Sequence, residues 1–423
     1  MWKNLGEANP FRQADTGSKI VWGAFVITCL HMTVHQPYVI VVPNVGANIF
    51  SSLVATAALV AALVCMRRQW KHLASYEIWM PLVLAAIAAA SSYYSDTRFI
   101  SSIRAFVIFS TMLAGYWTSR LLMNTEEGRR FFTWLCLGLL LVTLIQVLAG
   151  VILTRKIHTY ADPHWHQTAA RLLLLAFAPL ALLRYGSRRS IQMGLLFLVL
   201  TYLGLCMGGY FNWMASVVVI PVILCIMALV LLTRNIRTIS VLAAVLVVGS
   251  TAVGYYILRH AWDPEKKFGS VAFRAENIVF SVHLAMTRPL LGIGLWAPRE
   301  KYIEDHEIRF PDLSRDLFTK WVRDLRTSEN MFLTFLADLG IPFVILYFGA
   351  LMLIVWRLIR LTLHPPDSLY PHPIALLLPI SGEMLHLMVS DGLFQPQVSW
   401  FFHVLLGMAM CGSDHESSES RGS

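Results

Sequence analysis

From Phe131 to Leu153 the chain carries no charged residue, and apolar runs of this kind recur along its whole length. A helix rises 1.5 Å per residue, so about 20 apolar residues cross the hydrocarbon of a bilayer. Lipid offers the backbone no hydrogen-bond partner, and a helix satisfies its own. These runs therefore constrain the chain to membrane-spanning helices. Composition agrees: 14% of residues are charged and 57% hydrophobic, against roughly 25% charged in soluble domains. The sequence reads as an all-α polytopic membrane protein with about 12 transmembrane helices. They fall near 20–42, 46–66, 76–94, 99–123, 131–153, 168–185, 191–209, 212–233, 238–259, 330–356, 373–391 and 396–412.

The net charge of +9 is informative by location. Basic residues gather in alternate loops: Arg67, Arg68 and Lys71; Arg129 and Arg130; Arg184, Arg188 and Arg189; Arg234 and Arg237; Arg357 and Arg360. The intervening loops carry few. Such asymmetry places the basic loops and both termini in the cytoplasm, and it needs no nucleic-acid partner to explain it. The one long polar stretch, 261–329 between helices 9 and 10, then faces outward as a large periplasmic loop. Loops beyond about 60 residues translocate whatever their charge. The organisation expected is a cytoplasmic N-terminus (1–19), a bundle (20–412) that includes the loop, and a disordered tail (413–423). The segment from Met1 to Lys19 is too polar for a cleavable signal peptide, so the first span is expected to remain. Cys29, Cys65, Cys136, Cys206, Cys225 and Cys411 lie in or beside apolar runs without metal-ligand spacing, so neither disulfide nor zinc is expected.

Within the loop, 274–286 reads as an interfacial helix with Ile278, Val282 and Ala285 on its apolar face, and Pro289 stops it. Residues 313–325 repeat the pattern with Leu313, Leu317, Trp321 and Leu325. These faces are expected to dock on the outer ends of the bundle, with Trp296 and Trp321 in the headgroup zone. Charges inside the spans matter more. Arg104 and Arg171 lie at similar depth near the outer ends of spans four and six. They either snorkel to headgroups or face a cavity under the loop and grip phosphate, which their planar forks suit. Arg120 reads as snorkelling at the cytoplasmic end of its span. Glu383, with His386 one turn outward, is a neutral hydrogen-bonded carboxyl or a proton relay. Asp338 is equally open. The pair His31 and His35, like the group His158, Asp162, His164 and His166, falls short of a metal site.

The chain holds no Walker loop, dinucleotide fingerprint, zincin motif or nucleophile elbow. Three stretches instead resemble the O-antigen ligase and O-antigen polymerase superfamily of bacterial inner-membrane enzymes. The first is Phe273-Arg274, a helix, then Arg288-Pro289-Leu290-Leu291-Gly292-Ile293-Gly294. The second is Glu329-Asn330-Met331-Phe332-Leu333 through Asp338-Leu339-Gly340-Ile341-Pro342, and the third is Ser390-Asp391-Gly392-Leu393-Phe394-Gln395. The family's histidine at the loop end is Glu329 here, and its "SRG" hairpin reads Gly209-Tyr210-Phe211-Asn212.

The resemblance implies transfer of a glycan from a polyprenyl pyrophosphate donor to a sugar hydroxyl at the periplasmic face. The acceptor is lipid A-core for a ligase and another lipid-linked repeat for a polymerase. No cofactor and no metal are implied. Glu329 takes the place of the family's proposed base. Arg104, Arg171 and Arg274 are expected on the pyrophosphate, with Arg288 in reserve. The alternatives are a transporter or flippase of lipid-linked glycans, and a family member without catalysis.

Overall fold

A computed structural model describes residues 15–34, 45–67, 73, 75–154, 165–185, 191–201, 264–325, 327–363, 370–388 and 390–411. The expected spans at 212–233 and 238–259, His35, His158, Asp162, His164, the 209–212 hairpin, Cys206, Cys225 and the tail lie outside these residues. Every regular element among the described residues is helical. We number them α1 (Thr16–Val34), α2 (Val45–Cys65), α3 (Ser75–Tyr94), α4 (Arg98–Leu122), α5 (Glu126–Thr154), α6 (Trp165–Leu175), α7 (Phe177–Tyr185), α8 (Ile191–Thr201), α9 (Pro264–Thr287), α10 (Arg315–Leu325), α11 (Met331–Leu339), α12 (Ile341–Leu363), α13 (Pro373–His386) and α14 (Pro396–Ala409). Short 3₁₀ turns occupy Glu300–Tyr302 and Gly392–Phe394.

Among the described residues four helices are long and apolar enough to cross a membrane: α1, α4, α5 and α12. Their outer faces carry large exposed apolar side chains, among them Phe99, Ile145 and Leu353, as hydrocarbon contact requires. The centre of the bundle is α14, packed on α4 and flanked by α6 and α1. Small residues bring these helices close. A Cβ on Gly115 would stand 2.9 Å from the Trp400 carbonyl oxygen, and one on Gly407 would run into Ser119 and Tyr116.

Two expected spans are broken, each by a proline. Residues 168–185 divide into α6 and α7 at Ala176. Pro179 has no N–H for the Leu175 carbonyl four residues back, and its ring crowds that carbonyl. Residues 330–356 divide into α11 and α12 at Gly340, whose φ is +86°. Pro342 likewise deprives Asp338 of its helical donor. The Asp338 carbonyl instead accepts from the Gly294 N–H at 2.9 Å and the Ser91 hydroxyl at 2.8 Å. The reciprocal bond runs from the Ile341 N–H to the Pro289 carbonyl at 2.8 Å. The Pro289–Gly294 turn and the helix break thus complete each other's hydrogen bonding.

Both sides of this joint need glycine. Gly292 has φ +64°, and a Cβ there would collide with the Asp338 backbone. One on Gly340 would approach the Pro289 and Leu290 backbones to 2.8 Å and 2.7 Å. Left-handed strain and overpacking add, so Gly292→Ala is expected to cost about 2–5 kcal/mol. The check is a thermal melt in detergent against wild type, with a lost or much lowered transition expected.

The loop is a folded cap with its own core, built on Phe273, Phe280, Leu284, Ile293, Phe318 and Val322. Phe273 sits edge-on to Trp321 at 4.7 Å. Beneath the core the Glu276 carboxylate is buried on His306 and also accepts from the Arg309 N–H. The expected apolar face of α9 is corrected here. Ile278 and Val282 are exposed and, of the expected three, Ala285 alone is buried; the buried face combines it with Phe273, Phe280, Leu284, Glu276, Asn277 and Ser281. Counting only apolar positions misses a face whose Glu276 carboxylate, Asn277 amide N–H and Ser281 hydroxyl find partners in the cap. Arg120 is corrected too. It does not snorkel but lies buried with its Nε 2.7 Å from the buried Glu77 carboxylate.

Candidate active site

The site lies where the cap meets the bundle. The chain passes from α10 through Thr327, Ser328 and Glu329 into α11. Asn330 is the N-cap: its side-chain oxygen accepts from the Leu333 N–H at 3.0 Å and its amide donates to the Met388 carbonyl at 2.6 Å. That places Glu329 just outside the helix, on left-handed backbone with φ +49°. A non-glycine residue holds this conformation only where its neighbours dictate it. Here they do. The Ser328 N–H bonds Thr334 Oγ1 at 3.0 Å, and the Met331 N–H bonds the Leu387 carbonyl at 2.8 Å. The Glu329 carboxylate points to α9, where it meets Arg274 Nε at 3.0 Å. Both side chains are partly open to solvent, 31% for Glu329 and 41% for Arg274. Solvent screening leaves such a pair worth about 0–1 kcal/mol, so an incoming anion can displace the carboxylate from the guanidinium at little cost.

A second left-handed residue, Trp296 with φ +60°, completes the floor. Its ring lies under the Arg104 guanidinium, 4.3 Å from centroid to carbon, and edge-on to Phe394 at 5.3 Å. Arg104 is thus buried under the cap, with its charge on an aromatic face. Trp296 thus packs into the joint, between Arg104 and Phe394. Arg171 is also buried, on α6, and donates to the Thr33 carbonyl at 3.0 Å. Its helix packs on the 392–394 turn that carries Phe394, so it belongs to the same end of the bundle. Arg288 stands apart on the rim, bonded to the Tyr94 carbonyl at 3.3 Å and 3.8 Å from Asp96. The structure thus joins Arg274 directly to Glu329 and sets Arg104 beneath the cap, while Arg171 and Arg288 make separate contacts.

Sequence reasoning missed the group that fixes this geometry, Arg299. Its guanidinium is fully buried, 2.7 Å from Asp338 Oδ1 and 2.8 Å from Ser328 Oγ. The other Asp338 oxygen accepts from the Trp296 N–H at 3.2 Å. Ser328 Oγ lies 2.6 Å from Ser281 Oγ on α9. One ion pair therefore ties both left-handed residues to the bundle. The signal was present: a carboxylate in an apolar helix requires a partner, and Asp338 had none on its own helix. Nearby, Glu383 and His386 are buried with Oε1 and Nδ1 3.3 Å apart, and Ser390 Oγ is 3.4 Å from the same nitrogen. His31 contacts Ser51 Oγ at 3.1 Å. No group of three or more metal-ligating side chains occurs among the described residues.

No protein-family model matches the chain, and no curated protein matches its sequence.

Proposed function

We propose that this chain is a multi-pass enzyme of the bacterial inner membrane that transfers or polymerises a glycan carried on polyprenyl pyrophosphate. In this reading it has about 12 spans, cytoplasmic termini and a periplasmic cap, and it makes cell-surface polysaccharide. The observation that carries the proposal is the Arg274–Glu329 pair, held on left-handed backbone at the mouth of the cap, with Arg104 buried below. The donor pyrophosphate takes Arg274 from Glu329, and Arg104, Arg171 and the rim residue Arg288 add positive charge on its path. The freed carboxylate accepts the proton of the acceptor hydroxyl. That oxygen bonds the anomeric carbon as the carbon–oxygen bond to phosphate breaks, and polyprenyl pyrophosphate leaves as an anion. Fixed guanidinium groups stabilise the charge that develops on the leaving group, which is where preorganised electrostatics lowers a barrier most.

The test of function is the glycan profile of a deletion strain. Intact polymer unattached to lipid A-core identifies a ligase; single repeats on carrier or core identify a polymerase; an unchanged profile rejects both. Orientation has its own test. In a background without native cysteines, Asp305→Cys is expected to react with an impermeant thiol reagent and Ser417→Cys to be silent. The reverse pattern would invert the topology.

A further inference from the structure

At the opposite end of the bundle from this site lies a cavity of 330 Å³. The active site meets α3 near its end, at Ser91, and α12 at its first residue. The cavity is lined instead by Tyr76 and Glu77 at the start of α3 and by Ile354 and Arg357 late in α12. Met112 of α4, Leu351 of α12 and Leu406 of α14 form its buried apolar walls. Two of its four walls, α4 and α12, are helices able to cross a membrane. Its rim residues Tyr76 and Leu353 are exposed on the outside of the bundle, so it opens sideways toward the zone those spans occupy.

An open apolar slot in that zone does not stay empty, because its lining would forfeit dispersion contacts. Water does not fill it either, since water needs two or more polar partners. Hydrocarbon is the available occupant. The polar end of the slot adds a charge preference. Glu77 is neutralised by Arg120. Arg357 donates to the Met410 carbonyl at 3.4 Å, and no carboxylate pairs with it among the described residues. The mouth is therefore net positive.

We propose that this groove binds one hydrocarbon chain of an anionic membrane lipid, with the lipid phosphate on Arg357. The inference stands independently of the proposed glycan chemistry. The test uses the full chain in phosphatidylcholine nanodiscs doped with phosphatidylglycerol bearing a photoactivatable group on its acyl chain. Cross-links are mapped by peptide mass spectrometry. The label is expected on Met112, Leu351 or Leu406, about tenfold more from this probe than from the same probe on phosphatidylcholine. Both headgroups carry the phosphate, so the ratio reads the net negative charge of phosphatidylglycerol beside Arg357 against the choline ammonium that cancels it. Arg357→Gln is expected to abolish the preference, and Ala350→Trp to abolish the inner label by filling the slot. If the tryptophan variant does not fold, the rim substitution decides alone. Label confined to outward residues such as Met352, equal label from the two probes, or a cross-link to a second copy of the chain in the slot would each overturn the proposal.

Discussion

Glu329→Gln is expected to lower glycan transfer by about 10²–10⁴-fold, the usual contribution of a positioned general base. The substitution keeps the side chain's shape and its capacity to accept from Arg274, so the cap remains seated. It removes the group that takes the hydroxyl proton. The left-handed backbone at Glu329 sharpens the case, because strain of order 1–3 kcal/mol persists only where surrounding structure enforces it. A helix-end carboxylate needs no such conformation, and the N-cap duty already falls to Asn330. Turnover with purified variant, after confirming wild-type melting behaviour, is the measurement. Near-normal turnover would remove Glu329 from the chemistry. Glu329→His is expected to retain activity, since imidazole is the base the resembling family places there.

Arg299→Met is expected to destabilise the protein by about 3–5 kcal/mol, because it leaves the Asp338 carboxylate buried without its counter-charge. Asp338→Asn strands the charge the other way, leaving the Arg299 guanidinium buried without its carboxylate, and is expected to cost a similar amount. Replacing both, Arg299→Met with Asp338→Leu, is expected to recover much of the loss, as buried pairs exchanged for apolar groups often do. Thermal melts of the three variants measure this directly. Activity provides the separating readout: the double variant melts near wild type but loses turnover, because Trp296 and Ser328 are no longer held. A double variant with full turnover would show that the ion pair only stabilises the cap.

Much of this was legible in the chain. The apolar runs dictate helices, and the Pro289–Gly294 and Asp338–Pro342 stretches marked places that matter. Their meaning was not legible. Gly292 stood in one family-like stretch and Gly340 inside an expected span, yet each is required by the other's backbone, a contact between positions far apart in sequence. Arg274 and Glu329 were both singled out, and the structure places them in contact. Arg299 escaped because a loop arginine looks solvated until its partner is known. Arg120 was misjudged for a related reason. A basic residue at a span end reads as snorkelling unless the neighbouring helix brings a carboxylate, as α3 does with Glu77. The buried face of α9 was misassigned because hydropathy discounts Glu276, Asn277 and Ser281, whose burial depends on partners elsewhere in the cap.

Direct transfer in vitro tests the central claim most simply. Purified protein in nanodiscs is supplied with a polyprenyl pyrophosphate-linked oligosaccharide labelled in its glycan, together with lipid A-core or a second lipid-linked repeat as acceptor. Label is expected to move to the acceptor with stoichiometric release of polyprenyl pyrophosphate, and Glu329→Gln to slow both by about 10²–10⁴-fold. Wild-type protein that leaves the donor intact, while carrying it across the bilayer of proteoliposomes, would contradict the account and identify a transporter.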